Sequence, residues 1–167
     1  MKGKFFNITL NKNLNFDELV RELIFYIKED TKAKYKIVVG TDSLAQNHTQ
    51  FVSAVTVLRV GRGGRYFWSK SEKEHSPNLR DRIYKETMYS ITLAQELKSR
   101  LKDFVGEEAF WDNEIVVHID VGENGPTRGL IESVVGMVKG YGLTAAVKPE
   151  SFGAFVVADR HVHSFAF

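Results

Sequence analysis

Two stretches of the sequence run through apolar residues into an aspartate: Lys36-Ile37-Val38-Val39-Gly40-Thr41-Asp42-Ser43 and Glu114-Ile115-Val116-Val117-His118-Ile119-Asp120-Val121-Gly122. Carboxylates are hard oxygen donors, and several gathered at one point hold divalent cations such as Mg²⁺ or Mn²⁺. Continuous apolar runs of this length are expected as strands buried on both faces. An acidic residue just past such a strand sits at the carboxyl edge, where open α/β sheets bind ligands. Lying parallel and side by side, the two strands would bring Asp42 and Asp120 within reach of one cation.

A third carboxylate comes from a helix. From about Leu79 to Leu101 the residues Ile83, Thr87, Ser90, Ala94, Leu97 and Leu101 recur at alternating spacings of four and three, one packed stripe whose small middle members allow close approach to a sheet. At 100° per residue Glu86 lies about 60° from the centre of that stripe, while Asp81 and Glu96 lie roughly 140° to 160° away. Glu86 alone of these points toward the sheet. Taken singly, each acid has a plainer account: Asp42 and Asp120 as turn formers bonding their own backbone, Glu86 as a border residue paired with Lys85 or Arg82. The coincidence of three separate elements aiming carboxylates at one edge favours a shared site.

Histidines add little. His118 alternates with Asp120 and shares its face of the strand, which fits either a proton carrier near the site or a hydrogen-bonded core residue. His161 and His163 have the spacing of a metal pair but no evident third ligand, and His48 and His75 read as loop residues.

The elements that position these groups follow from period. Lys4 to Leu10 reads as a short edge strand. Phe16, Leu19, Val20, Leu23, Ile24 and Ile27 fall on one face of a helix, with Asn15 and Glu18 as a capping pair. After the Asp42 strand come strands from about Gln50 to Val60 and from Arg65 to about Lys70, joined by Gly61-Arg62-Gly63-Gly64. That loop lacks the GxxxxGK[ST] pattern and joins two strands, so it reads as a hairpin turn rather than a phosphate cradle. Pro126 opens a helix with Leu130, Ile131, Val134, Val135 and Val138 inward, ended by Gly140 or Gly142. Leu143 to Lys148 is then a strand parallel to the Asp120 strand. The apolar run from Phe152 to Ala158 fits helix or strand equally.

With 167 residues and 43% hydrophobic content, the chain is expected to form a single domain, 1–167, with residues 1–33 as a strand and helix packed on it. Cysteine is absent, which excludes thiol catalysis and suits a reducing, cytoplasmic setting. No apolar run approaches the roughly 20 residues of a membrane span, and the Met-Lys-Gly-Lys start lacks the apolar core of a signal peptide. The formal charge of +2 is mild, but Arg59 to Lys85 holds eight basic residues against three acidic ones, with Tyr66, Phe67 and Trp68 among them. This is either a solvated hairpin rim or a patch that steers a phosphate backbone.

The element order, with an aspartate ending the first main strand, a glutamate on the long helix and an aspartate ending the fourth, resembles the ribonuclease H fold. In detail the chain resembles the YkuK-type ribonuclease-H-like family, through Ile37-Val38-Val39-Gly40-Thr41-Asp42-Ser43, Gly61-Arg62-Gly63-Gly64, Tyr84-Lys85-Glu86-Thr87, His118-Ile119-Asp120-Val121-Gly122, and Lys148-Pro149-Glu150 leading to Val157-Ala158-Asp159-Arg160. The resemblance implies a five-stranded mixed sheet, a three-strand antiparallel meander plus two parallel strands flanked by helices. It also implies a nuclease that hydrolyses phosphodiester bonds of RNA, RNA–DNA hybrid or structured DNA with two Mg²⁺ or Mn²⁺ ions about 4 Å apart. Asp42 would bridge the ions, with Glu86 and Asp120 completing one shell and Thr41, Ser43, Arg62, Arg65 and His118 near the phosphate.

For the fourth acid the resemblance favours Asp159, while chain geometry also permits Glu150. If the intervening segment is helical the two lie about 13 Å apart along its axis, too far to serve one ion. Two other functions compete. One is a nucleic-acid or nucleotide-binding module without catalysis. The other is phosphotransfer, since Gly40-Thr41-Asp42-Ser43 faintly resembles the phosphate loop of actin-like ATPases, but those need two such domains and this chain has length for one. Substrate identity and oligomeric state leave no mark in the sequence.

Overall fold

The computed structural model describes residues 4–7, 10–44, 48–105 and 114–151. In chain order these form β1 (Phe5–Asn7), β2 (Lys12–Leu14), α1 (Phe16–Lys28), β3 (Tyr35–Ser43), β4 (His48–Arg59), β5 (Gly64–His75), α2 (Leu79–Val105), β6 (Glu114–His118), a 3₁₀ turn (Arg128–Leu130), α3 (Ile131–Gly140) and β7 (Thr144–Ala146). The strands make one mixed sheet in the order β2-β1-β5-β4-β3-β6-β7. β3, β4 and β5 form the antiparallel meander, while β6 runs parallel to β3 and β7 parallel to β6.

β3 lies near the middle of the sheet and is buried from Tyr35 through Thr41 except at Lys36. Its pleat sends Ile37 and Val39 into the main core with Leu19, Leu23, Ile91, Leu97 and Val138 from the three helices, and Val38 into a second cluster with Val52 and Ala54. Among the described residues no helix contributes to that second cluster. Strand alternation with both faces buried is therefore why the run reads as uninterrupted apolar sequence. α2 buries Ile83, Thr87, Ser90, Ala94, Leu97 and Leu101, the stripe expected from its spacing, together with Glu86.

The amino-terminal segment differs from expectation. Instead of one strand from Lys4 to Leu10, the chain turns back and makes a hairpin, Phe5 opposite Leu14, that extends the sheet beyond β5. Asparagines direct the reversal: Asn7 Oδ1 accepts from the Leu10 amide at 2.8 Å, Asn7 Nδ2 donates to the Tyr66 carbonyl at 2.7 Å, and Asn11 adopts φ 48°. Asparagine tolerates the left-handed region better than most residues with a Cβ. β5 also runs on to His75, past the expected end at Lys70, so that His48 and His75 are paired strand residues rather than loop residues. The Gly61-Arg62-Gly63-Gly64 turn is a hairpin turn, with positive φ at Gly61 and Gly63 and the Arg59 amide donating to the Gly63 carbonyl at 2.8 Å.

Helix α1 starts on a complete capping box: Asn15 Oδ1 accepts from the Glu18 amide at 2.9 Å, and Glu18 Oε2 accepts from the Asn15 amide at 2.7 Å. Asn15→Ala should cost about 1 kcal/mol and lower Tm by roughly 2–4 °C, with Asn15→Asp close to wild type. Thermal melts of the three proteins test this, and an unchanged Asn15→Ala melt would contradict it.

Candidate functional site

The carboxyl end of β3 meets the first half of α2 through hydroxyl groups. Thr41 is buried and its Oγ1 lies 2.9 Å from Ser53 Oγ on β4. Ser90 Oγ, from α2, lies 2.9 Å from both Thr41 Oγ1 and the Glu86 carbonyl oxygen. Two residues along, Ser43 Oγ donates to Glu86 Oε1 at 2.6 Å, while the Ser43 amide donates to Asp42 Oδ1 at 2.8 Å. Small hydroxyl side chains let the helix and strand approach closely and fill each other's hydrogen-bonding capacity. Ser43 thereby ties the Asp42 and Glu86 carboxylates to one another.

Asp120 arrives from the neighbouring strand. Ile119 and Val121 join the same core cluster as Ile115 and Val117, so the alternation of β6 continues past its last ladder pair and places Asp120 on the face of His118. β6 is parallel to β3 with His118 opposite Gly40, two residues short of Asp42. The Ile119 amide donates to the Ala146 carbonyl and the Lys148 amide to the Val121 carbonyl, each at 2.9 Å, which pins the Asp120 segment to the chain leaving β7.

Electrostatics tie the three acids together. Burial pushes the Glu86 carboxyl from its ordinary 4.5 up to about 8; the charges of Asp42 and Asp120 push the same way, while the Ser43 hydrogen bond and the Arg82 guanidinium oppose them. A carboxylate that is 6% exposed between two others is unfavourable as an anion unless positive charge is supplied. Part of that charge is already present. Lys148 Nζ forms an ion pair with Asp120 Oδ1. Among the described residues no group of three carboxylate or imidazole side chains is gathered closely enough to hold an ion as it stands. The donor set still suits a hard divalent cation: all-oxygen ligands, mutual repulsion, and a buried acid held protonated in its absence.

The remaining expected residues fall in several places. Thr41 is committed to the Ser53 and Ser90 hydroxyls beneath the site, so it is a packing residue and not a phosphate contact. Ser43 positions Glu86. Arg62 and Arg65 are not near the acids, because their hairpin adjoins the Tyr35 end of β3, seven residues or about 23 Å of strand from Asp42. There Arg62 pairs with Asp30 at 3.4 Å, and Arg65 with Glu29 at 3.1 Å and Glu22 at 3.7 Å. Arg59 stacks over Tyr26 and Tyr35 and pairs with Glu29 at 3.0 Å. The basic hairpin is thus a clamp on α1 rather than a landing surface for phosphate at the acidic end.

His118 is buried, and desolvation followed by the nearby Lys36 charge lowers it to about 4. It is neutral at neutral pH, as a core histidine. Glu150 is exposed and lines a cleft of about 430 Å³ with Gly122, Glu123, Asn124 and Lys148. Asp159, His161, His163, Phe165 and Phe167, with the run from Phe152 to Ala158, lie outside the described residues. Sequence reasoning missed Lys148 as a partner of Asp120; of the two cations it weighed for Glu86, Arg82 acts on it while Lys85 pairs with Glu74 and Asp81. The parallel pairing of the last two strands was the available signal for Lys148, since it follows β7 as Asp120 follows β6.

A ribonuclease H-like domain is what this sheet order and its flanking helices define, and the ribonuclease H-like family model matches residues 18–163. The chain belongs to that family, in its YkuK-type branch. It is 32% identical over 169 residues to the uncharacterized protein YkuK of Bacillus subtilis (strain 168), covering 93% of this chain and 95% of that protein. No solved structure matches the chain. Among the described residues no helix is long and apolar enough to cross a membrane. Membership of this family points to a function connected with nucleic acid.

The raised Glu86 carboxyl sets a pH dependence. The folded chain keeps that proton up to about pH 8, whereas the unfolded chain releases it near 4.5, so this group's contribution to stability falls as pH rises through that window. Glu86→Gln removes the penalty. In metal-free buffer its Tm advantage over wild type should be near zero at pH 4.5 and grow to several degrees by pH 8.5. An advantage that is independent of pH, or that shrinks as pH rises, would contradict the buried, charge-crowded carboxyl.

Proposed function

We propose that the protein is a divalent-metal-dependent phosphodiesterase acting on nucleic acid, with Asp42, Glu86 and Asp120 as its acidic centre and Asp159 as a further acid. The observation that carries this reading is the buried Glu86 carboxyl, joined to Asp42 through Ser43 and acted on by the charges of Asp42 and Asp120. A buried carboxylate acted on by other negative charges opposes folding, and a protein that keeps it gains when a cation binds. Mg²⁺ or Mn²⁺ held by these carboxylates would neutralise phosphate charge and help activate the attacking water, as the family resemblance implies.

The chain's own groups have distinct tasks in this reading. Asp42, fixed by the Ser43 amide, and Asp120, fixed by the β6–β7 pairing, present oxygens at the rim. Glu86 Oε1 is oriented by the Ser43 hydroxyl, and its buried carboxyl would give up its proton when a cation binds. Arg82, one helical turn before Glu86, offers a guanidinium to an incoming phosphate oxygen. Thr41, Ser53 and Ser90 exclude water from beneath the acids and fix the distance between α2 and β3.

A second reading, a nucleic-acid-binding module without turnover, is favoured by one observation, the Lys148 ammonium already paired with Asp120. The two separate in one experiment. For the nuclease, Mn²⁺ or Mg²⁺ raises the Tm of wild type but not of Asp42→Asn, and cleavage across a panel of RNA, hybrid and structured DNA substrates falls at least 100-fold in Asp42→Asn and Glu86→Gln. Equal metal responses in wild type and Asp42→Asn would contradict the assignment. Salt-sensitive binding without turnover under any metal would leave the binding module.

A further inference from the structure

A cleft of about 430 Å³ opens beside the acidic centre, between the loop that follows Asp120 and the chain leaving β7. Lys148 joins the two. Its amide donates to the Val121 carbonyl at 2.9 Å, its ammonium pairs with Asp120, and its side chain also lines the cleft. The stem lies against Gly122, where a Cβ would stand 3.1 Å from Lys148 Cβ, so glycine at 122 leaves the room that the stem uses. Whatever enters the cleft therefore lies next to the carboxylate that Lys148 holds.

The lining has two characters. Ile131, Val147 and Pro149 form an apolar wall, while Glu123, Asn124 and Glu150 are exposed polar residues. Carboxylates repel phosphate and accept hydrogen bonds from hydroxyls, so the part of a nucleic acid that suits this lining is the nucleoside rather than its phosphate. Carboxylates hold ribose hydroxyls in this way in dinucleotide sites, and within a strand only RNA carries the 2′-hydroxyl. The flat face of a base suits the apolar wall, and the Asn124 amide can both donate to and accept from a base edge. Size sets the last condition. The cleft falls in the roughly 300–1,000 Å³ range of small-molecule sites, room for one nucleotide unit but not for a stacked, paired helix. A base must leave its pair and stack to enter.

Resting on the proposed acidic centre, we propose that this cleft seats one unpaired ribonucleotide of an RNA strand beside the phosphate that is cut, with the base on the Ile131–Val147–Pro149 wall and the 2′-hydroxyl on Glu123 or Glu150. The substrate of the acidic centre is then single-stranded RNA, or the unpaired part of a folded one.

The test uses the full chain with Mn²⁺ and one RNA sequence presented single-stranded, paired to its complement, and with single 2′-deoxy or abasic positions. The single strand should be cut at least tenfold faster, in kcat/KM, than the same strand in duplex. One 2′-deoxy or abasic position adjoining the cut should cost at least tenfold, because a site that bonds a hydroxyl discriminates against its absence. Glu123→Gln or Glu150→Gln should shrink the 2′-deoxy effect severalfold, with thermal melts showing both folded. Independently of turnover, 4-thiouridine at the adjoining position, irradiated with Asp42→Asn, should crosslink within residues 122–124 or 147–150. Cleavage that Asp42→Asn abolishes but that ignores pairing and the 2′-hydroxyl overturns the inference while leaving the acidic centre standing. So does a 2′-deoxy effect that both carboxylate variants leave unchanged, or a crosslink only outside the cleft. No metal-dependent cleavage of any strand overturns both.

Discussion

A buried acid at the carboxyl edge of β3, acted on by the charges of two aspartates, is the constraint around which this molecule is organised. Glu86 is almost entirely removed from water and lies under the influence of two aspartates from adjacent parallel strands. The fold supplies what such crowding requires. β3 is held rigidly by neighbours on both sides and by apolar contacts on both faces. α2 is brought close by buried serine and threonine hydroxyls that bond one another. Without that rigidity the acids would separate, since repulsion between like charges is relieved by small displacements.

Positive charge is distributed according to the same logic, and this separates the basic residues into two populations. Arg59, Arg62 and Arg65 face the carboxylates just past the end of α1, at the opposite end of the sheet, where ion pairs and cation–π stacking on Tyr26 and Tyr35 join helix to hairpin. Their separation from the acids makes them structural. Arg82 and Lys148 sit at the acidic end, where Arg82 acts on Glu86 and Lys148 pairs with Asp120. Lysine at 85 belongs to neither group, being engaged with Glu74 and Asp81 beside the start of α2.

Much of this was legible in the sequence because burial imposes period. The β3 and β6 runs, the α2 stripe and the inward angle of Glu86 all follow from which residues must avoid water, the parallel run of the last strand followed from the crossover rule, and the mixed sheet was implied by the family resemblance. What period does not encode was missed or misplaced. The amino-terminal reversal depends on asparagine turn chemistry inside a segment that alternates like one strand. The far end of β5 carries Glu72, Lys73 and Glu74, whose polarity hides a strand that pairs with β4 through His75. The position of the arginine hairpin follows from strand direction: β4 runs antiparallel to β3, so its end lies beside Tyr35 and away from the acids, which a reading of local composition overlooks. The Lys148–Asp120 pair joins residues 28 positions apart whose proximity exists only once β6 and β7 pair.

Anomalous X-ray diffraction from crystals of the protein soaked in Mn²⁺ tests the central claim most directly. The account predicts a peak at about 2.0–2.3 Å, the usual range for such ions, from carboxylate oxygens of both Asp42 and Glu86. A saturating soak that leaves those oxygens without a peak, or that places manganese only elsewhere on the molecule, would contradict it.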